Sequence, residues 1–326
     1  MRFLLVHYDE FARPLESSSV VTLGNFDGVH LGHQEIFRRV TGRAKELELP
    51  SVALSFYPHP LKVLRPDEAP LMLFPLKEKV RLLESAGLDH FLCIHFTRTF
   101  ASLEAKDFVE DVLVRGLNAK EIFVGKDYRF GRGRKGNVNY LAELGQKFGF
   151  CVRVVDPVVV DGILVSSTRI RRMLLEGRVT EAMKFLGRPY KLLGKVVRGV
   201  GRGRSLGFPT ANVEPENELI PGSGVYSVAV EVENMTHPGV VNVGFNPTFE
   251  DDERVKVEVH IIDFFGDLYN KEIGVLFLKR MRGEVKFPSP QSLVKQIRED
   301  VEEAKRIWQE FFLKSGGFSF LSSWSF

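Results

Sequence analysis

The decapeptide Gly24-Asn25-Phe26-Asp27-Gly28-Val29-His30-Leu31-Gly32-His33 sets two imidazoles three positions apart, separated by a leucine and a glycine. An apolar run, Val20-Val21-Thr22-Leu23, precedes it, and a helical pattern follows from Gln34. Donors at i and i+3 on a first helical turn face the same way, and the helix N-terminus beneath them favours anions. Gly24, Gly28 and Gly32 let a ligand approach the backbone without Cβ atoms in the way. The pattern suits a nucleoside triphosphate whose α-phosphate gains negative charge during reaction. Two histidines at a helix start can also be plain cap or surface groups.

A second cluster runs Gly199-Val200-Gly201-Arg202-Gly203-Arg204-Ser205-Leu206-Gly207-Phe208-Pro209-Thr210-Ala211-Asn212. It is neither the dinucleotide G-x-G-x-x-G spacing nor a Walker Gly-Lys-Ser/Thr. Its glycines and arginines can wrap phosphates with backbone N–H groups and guanidinium groups. Thr210 and Asn212 are two apart, so on an extended segment their oxygens point the same way. A hydroxyl and an amide carbonyl are hard ligands suited to Mg²⁺ on ATP phosphates. The alternative is a tight turn with a polar edge.

These residues need elements to hold them. In 326 residues two domains are the default. Strand-like runs at Val20–Leu23, Val52–Phe56, Phe91–Phe96, Ile122–Val124 and Val152–Val155 alternate with helical patterns at Glu35–Leu49, Lys77–Ala86, Phe108–Leu117 and Tyr140–Phe148. That alternation predicts an α/β domain with a parallel sheet, whose ligands bind at the carboxyl ends of the strands. Beyond Gly187-Arg188-Pro189 the strands follow one another: Lys191–Val197, Gly224–Glu233, Gly239–Gly244, Val255–Asp263 and Ile273–Arg280. They predict a small antiparallel β-barrel, with a helix from Pro290 to Phe312 covering one end. The expected division is 1–187, 188–312 and a tail, 313–326, linked across Arg178–Tyr190.

A formal net charge of +3, with 27% charged residues, argues for neither a nucleic-acid nor a membrane partner. Cys93 and Cys151 read as buried thiols of a reducing compartment. The run Phe3-Leu4-Leu5-Val6 is too short for a signal peptide, and no apolar stretch reaches spanning length, so a cytoplasmic location is expected. The sequence leaves the oligomeric state open.

The first string, with Phe26-Asp27-Gly28 beside H-x-G-H, resembles the nucleotidylyltransferase superfamily and, within it, the bacterial FAD synthetases, which combine a riboflavin kinase with an FMN adenylyltransferase. The second string resembles the riboflavin kinase signature ending in P-T-A-N. The resemblance covers roughly residues 19 to 310. It implies a Rossmann-like nucleotidylyltransferase domain followed by a riboflavin kinase barrel, with ATP, riboflavin and FMN as substrates and Mg²⁺ as cofactor.

His30 and His33 then become catalytic donors to the α-phosphate, and Gly24, Phe26, Asp27, Gly28 and Asp127 ATP-binding residues. Val165-Ser166-Ser167-Thr168-Arg169-Ile170-Arg171 resembles the family's I-S-S-T-x-I-R, with Val in place of Ile. Ser166, Ser167, Thr168 and Arg171 are implied to hold the outer phosphates, although a simple N-cap would look similar. Gly201, Arg202, Gly203, Arg204, Gly207, Phe208 and Pro209 are implied ATP contacts of the kinase, with Thr210 and Asn212 as its metal ligands. Phe56, His59, Phe130, Gly224, Tyr226 and Arg282 are implied flavin contacts. Glu258, in a segment matching E-x-H-I-x-D-F, is the implied base.

Two rivals remain at this point. An H-x-G-H transferase with another phosphorylated acceptor leaves the second signature unexplained. A nucleic-acid binding module would use the basic runs around Lys126–Lys135 and Arg198–Arg204, with Tyr128 and Phe130 stacking bases.

Overall fold

The computed structural model describes residues 1–8, 15, 17–199, 203, 206–233, 235–245 and 255–314. Gly201, Arg202, Arg204 and residues 246–254 and 315–326 lie outside the described residues. Contacts divide the chain into two compact units, one of Met1–Pro70 with Leu76–Val165 and one of Leu71–Pro75 with the described residues from Ser166 onward.

The first unit is a six-stranded sheet with every pair parallel. Its strands are β1 (Arg2–Val6), β2 (Ser19–Leu23), β3 (Ser51–Tyr57), β4 (His90–His95), β5 (Ala119–Gly125) and β6 (Cys151–Val155). The helices are α1 (Leu31–Leu47), α2 (Pro60–Leu64), α3 (Leu76–Ser85), α4 (Arg98–Ala101), α5 (Ala105–Phe108), which runs on into π-helical turns at Val109–Gly116, and α6 (Val138–Phe148). A short hairpin, β7 (Val159–Val160) and β8 (Ile163–Leu164), follows.

All five residues of β2 are buried, as expected for a central parallel strand covered on both faces. The order is β1-β4-β3-β2-β5-β6. After β2 the chain builds outward through β3 to β4, then returns to the other side of β2 as β5. The order therefore reverses beside β2, and the crevice that such a reversal opens lies at the carboxyl ends of β2 and β5. One face of the sheet packs Val21, Leu54 and Ile122 against Phe108, Val112 and Leu141.

The structure adds β1, which the sequence reading treated only as a short apolar run; it pairs with β4 at the sheet edge. It also corrects one cysteine. Cys93 is buried, but Cys151 is exposed, because β6 is the opposite edge of the sheet.

The second unit holds α7 (Ser167–Leu175), α8 (Val179–Leu186) and a closed six-stranded antiparallel barrel. The barrel strands are β9 (Tyr190–Val197), β10 (Ala211–Pro215), β11 (Gly224–Val232), β12 (Met235–Phe245), β13 (Val255–Ile261) and β14 (Glu272–Arg282). Along β13, Val257, Val259 and Ile261 are buried while Lys256, Glu258 and His260 are not, so the period-two alternation separates barrel interior from outer face.

The last helix, α9 (Pro290–Lys314), lies along the wall instead of over an end. Ile307, Trp308 and Phe311 pack on Ala229, Leu276 and Leu278, while Val301 and Ala304 meet Ile262 and Val240. An ion pair pins it there: Arg282 donates to both carboxylate oxygens of Asp300, with Nη2 at 2.7 Å from Oδ2. Asp300 is buried and also accepts from Gln296. Asp300→Ala leaves the Arg282 cation part-buried without its partner, and should lower stability by about 2–4 kcal/mol. Denaturant unfolding of the two proteins side by side checks this; superimposable curves would refute it.

Candidate active sites

Beyond β2 the backbone N–H of Gly24 still bonds to the Leu54 carbonyl at 3.1 Å. The chain then turns through left-handed backbone at Phe26 (φ 47°), Gly28 (φ 83°) and Val29 (φ 40°). Val29 is β-branched and fully buried, and such a conformation stores about 1–3 kcal/mol of strain. Several anchors impose it. The Asn25 carbonyl accepts from Lys79 Nζ at 2.9 Å and from Ser55 Oγ at 3.3 Å. Gln34 Nε2 donates to the Val29 carbonyl at 2.8 Å, and the Asn25 carboxamide lies 3.0 Å from His59 Nε2. The buried Phe26 ring stands edge-on to Phe37 and His33. Gly24 permits this, since a Cβ there would come within 2.8 Å of that ring.

His30 is the N-cap of α1, but its side chain makes no capping bond. It stacks on His33 instead, with ring centroids 3.7 Å apart and planes 15° apart. A Cβ at Gly32 would stand 3.2 Å from the His30 ring. No acidic residue occupies the first turn of α1, so the partial positive charge of the helix end is left for a ligand. Two stacked imidazoles above a helix N-terminus form a donor platform for an anion that gains charge.

Beneath the turn lies Lys79 of α3, a residue the sequence reading did not single out, with 4% of its surface exposed. Burial lowers its pKa, and the neighbouring Asp27 carboxylate and Cys93 thiol oppose that shift. Asp27 is itself buried. The Cys93 thiol is pushed up to about 11 by burial, with Lys79 acting against the rise. The signal was present in the sequence: Lys79 falls in helical phase with Leu82, Leu83 and Ala86, on the apolar stripe.

Because β3, β2 and β5 are neighbours, their carboxyl ends bring three expected segments to one sheet edge. Phe56, half-buried at the end of β3, packs on Phe96 and Phe100. His59 caps α2, its Nδ1 accepting from the Leu61 N–H at 3.3 Å. Past β5, Asp127 is exposed, while Phe130 is buried, stacks on Tyr128 and bridges to Gly136. The Tyr128 and Phe130 rings are thus spent on each other and on the core. Ser166, Ser167, Thr168 and Arg171 open α7 in the second unit. Ser166 Oγ accepts from the Arg169 N–H at 3.4 Å, and Arg171 Nε donates to the Leu71 carbonyl at 2.8 Å.

On the barrel, Asn212 of β10 stands opposite Glu258 of β13, and Glu258 stands opposite Asn242 of β12. Directly opposed residues share a face, so the three form one polar row across the wall. Val213, Val257, Val259, Val241 and Val243 alternate with them and are buried, which puts the row on the outer face. Val241-Asn242-Val243 carries the same alternation in the sequence as Val257-Glu258-Val259.

The described part of the glycine-arginine loop folds back onto this row. Phe208 N–H donates to the Gly203 carbonyl at 2.9 Å, and a Cβ on Gly203 would lie 2.9 Å from Thr210 Oγ1. A Cβ on Gly199 would strike the Asn212 carboxamide. Gly207 has φ 85°, a conformation that favours glycine. His260 Nδ1 lies 2.9 Å from the Pro209 carbonyl, and its ring meets Phe208 edge-on.

Three expected flavin contacts are engaged within the framework. Tyr226 is fully buried, with its hydroxyl donated to the Gly222 carbonyl and its phenol pKa raised by burial. Arg282 is held by Asp300. Gly224 lets β11 and β14 approach, since a Cβ there would come within 2.8 Å of the Arg282 carbonyl.

Comparison with known proteins bears on both sites at once. Residues 12–169 match the FAD synthetase family, and residues 186–308 match the riboflavin kinase family. A bifunctional riboflavin kinase/FMN adenylyltransferase of Pseudomonas fluorescens is 39% identical over 90% of this chain and 94% of its own length. The protein of that name from Escherichia coli K12 is 38% identical over 91% of this chain and 94% of its own. This chain belongs to the bifunctional riboflavin kinase/FMN adenylyltransferase family.

A crystal structure described as a macrolide-efflux protein from Streptococcus pneumoniae also matches, with 36% identity, 94% coverage of this chain, 99% of that one and a TM-score of 0.85. Among the described residues here, no helix is long and apolar enough to cross a membrane. Membership accounts for both signatures in their order along the chain, which neither rival does. The chain is an enzyme whose parallel-sheet and barrel folds are those the family resemblance implied.

Proposed function

We propose that the barrel unit transfers the γ-phosphoryl group of ATP to the 5′-hydroxyl of riboflavin. The parallel-sheet unit then joins the resulting FMN to the AMP moiety of a second ATP, giving FAD and pyrophosphate. By motif content the adenylyltransferase half is 1–187, the kinase half 188–312 and the tail 313–326. The observation that carries the reading is the stacked His30/His33 pair on a helix N-terminus at the switch point of the sheet. The Asn212–Glu258 register supplies the second chemistry.

In adenylyl transfer the FMN phosphate attacks the α-phosphorus in line, and the bond to pyrophosphate breaks. FMN brings its nucleophile as an anion, so the protein needs no strong base. Its contribution is alignment and charge stabilisation. His30 and His33 donate to the α-phosphate oxygens as charge builds. Ser166, Ser167, Thr168 and Arg171 supply hydroxyls and a guanidinium for the departing phosphates. Gly24, Phe26, Asp27, Gly28 and Asp127 shape the nucleotide pocket, and Phe56, His59 and Phe130 the flavin side.

In the kinase reaction Glu258 accepts the hydroxyl proton of riboflavin as the phosphoryl group moves. The Thr210 hydroxyl and Asn212 carbonyl are the groups that would hold Mg²⁺. They fit it: both are hard oxygen donors, Thr210 just before β10 and Asn212 within it, under glycines so close that no side chain could intervene. When bound, the ion neutralises phosphate charge.

Incubating the chain with riboflavin, ATP and Mg²⁺, with chromatography over time, tests the whole scheme. FMN should rise first and FAD follow. FMN without FAD would remove the adenylyltransferase assignment, and unchanged riboflavin would remove the kinase assignment.

A further inference from the structure

Of the charged side chains outside the described chemistry, Lys79 stands out because nothing about its helix requires a cation there. It lies on the buried stripe of α3 with Leu82 and Leu83. An ammonium in such a place is strongly disfavoured unless partners hold it. Its partners all belong to the histidine turn or to the strands beneath it. Nζ donates to the Asn25 carbonyl at 2.9 Å. The same carbonyl accepts from Ser55 Oγ on β3. Asp27, two residues on and 2% exposed, is a carboxylate that opposes the effect of burial on Lys79, and Cys93 of β4 acts in the same sense.

Two consequences follow. The left-handed run Phe26, Gly28 and Val29 persists only while its surroundings over-determine it, and the Lys79–Asn25 bond fixes the residue immediately before that run. His30 and His33 come immediately after it, so their aim depends on the turn. The second consequence is electrostatic. With Lys79 removed, the buried Asp27 carboxylate loses an opposing charge three residues from His30, where a polyanion must bind.

We propose that Lys79 is a positioning residue for adenylyl transfer. Its buried ammonium ties down the Asn25 carbonyl and balances Asp27, and so holds the strained turn that aims His30 and His33. The inference rests on the adenylyl-transfer reading of that turn. It explains why a lysine occupies an apolar stripe, and why Asp27 can be buried beside an anion site.

The test uses the full chain and measures FAD formation from supplied FMN, with FMN formation from riboflavin as an internal control. Lys79→Met should lower kcat for FAD formation about 100-fold, the scale expected of a misplaced catalytic group, with KM for FMN within about threefold. Riboflavin phosphorylation should stay within about twofold of the unaltered chain, since both residues of the pair lie outside the barrel unit. The decisive variant is the double one, Lys79→Met with Asp27→Asn. Removing both charges should recover at least about tenfold over Lys79→Met alone, because Asp27→Asn takes away the charge that Lys79 opposes.

A Lys79→Met enzyme within about threefold of the unaltered kcat overturns the proposal. So does a loss confined to KM, or a double variant no better than the single one, which would make Lys79 a space-filler. If Lys79→Met does not fold, recovery or non-recovery in the double variant still decides. An unaltered chain that makes no FAD from FMN would instead sink the reading of the site, and this inference with it.

Discussion

Replacing His30 with alanine is expected to lower kcat for FAD formation from FMN by about 10²–10³-fold, the usual effect of losing one preorganised donor to a developing oxyanion. ATP affinity should change far less. The ground-state triphosphate is held along its whole length by other groups, whereas the extra charge on the α-phosphate exists only in the transition state. His30 is suited to that role by what its ring does not do: it caps nothing in α1 and lies flat against His33. Because the rings are stacked at 3.7 Å, His33→Ala should produce a loss of the same order, and the double variant less than the product of the two. Steady-state kcat and KM with supplied FMN separate these effects. Equal losses in kcat and in ATP affinity would mean the histidines bind substrate without distinguishing its transition state.

Much of this arrangement was legible before any coordinates. The alternation of apolar runs and helical patterns located five of the six parallel strands, because buried central strands such as β2 read as unbroken apolar segments. The histidine spacing located the turn, because i and i+3 share a face whatever the rest of the fold does. What escaped were features set by partners distant in sequence. Phe3-Leu4-Leu5-Val6 becomes a strand only because β4 offers it an edge. Cys151 is exposed because β6 ends the sheet, and the local run of apolar residues carries no sign of that. The helical stripe of α9 announced a buried face, yet it could not tell the wall of a barrel from its end. Tyr226 and Arg282 lie within motifs that resemble the family, but the hydroxyl of one serves Gly222 and the guanidinium of the other serves Asp300. Lys79 was not singled out, because lysine is so seldom buried. Its phase on the apolar stripe was the stronger signal.

Glu258→Gln should abolish FMN formation in practice, a loss of about 10³-fold or more, while FAD formation from supplied FMN stays within about twofold. The substitution is close to isosteric and falls on the outer face of β13, between Asn212 and Asn242 in neighbouring strands. A glutamine there keeps the polar row and the barrel interior unchanged, so stability should move by no more than about 0.5 kcal/mol. What it removes is the ability to take a proton from the attacking hydroxyl. Without an acceptor, the alcohol must lose its proton to water as the phosphoryl group arrives, on a surface where, among the described residues, no other carboxylate stands in register with Asn212. The adenylyl reaction has no such demand, because its nucleophile is already ionised, and that difference makes the two activities separable by one atom. If both fell together in a folded Glu258→Gln protein, one site would be serving both reactions, and the assignment of a separate chemistry to each unit would fail.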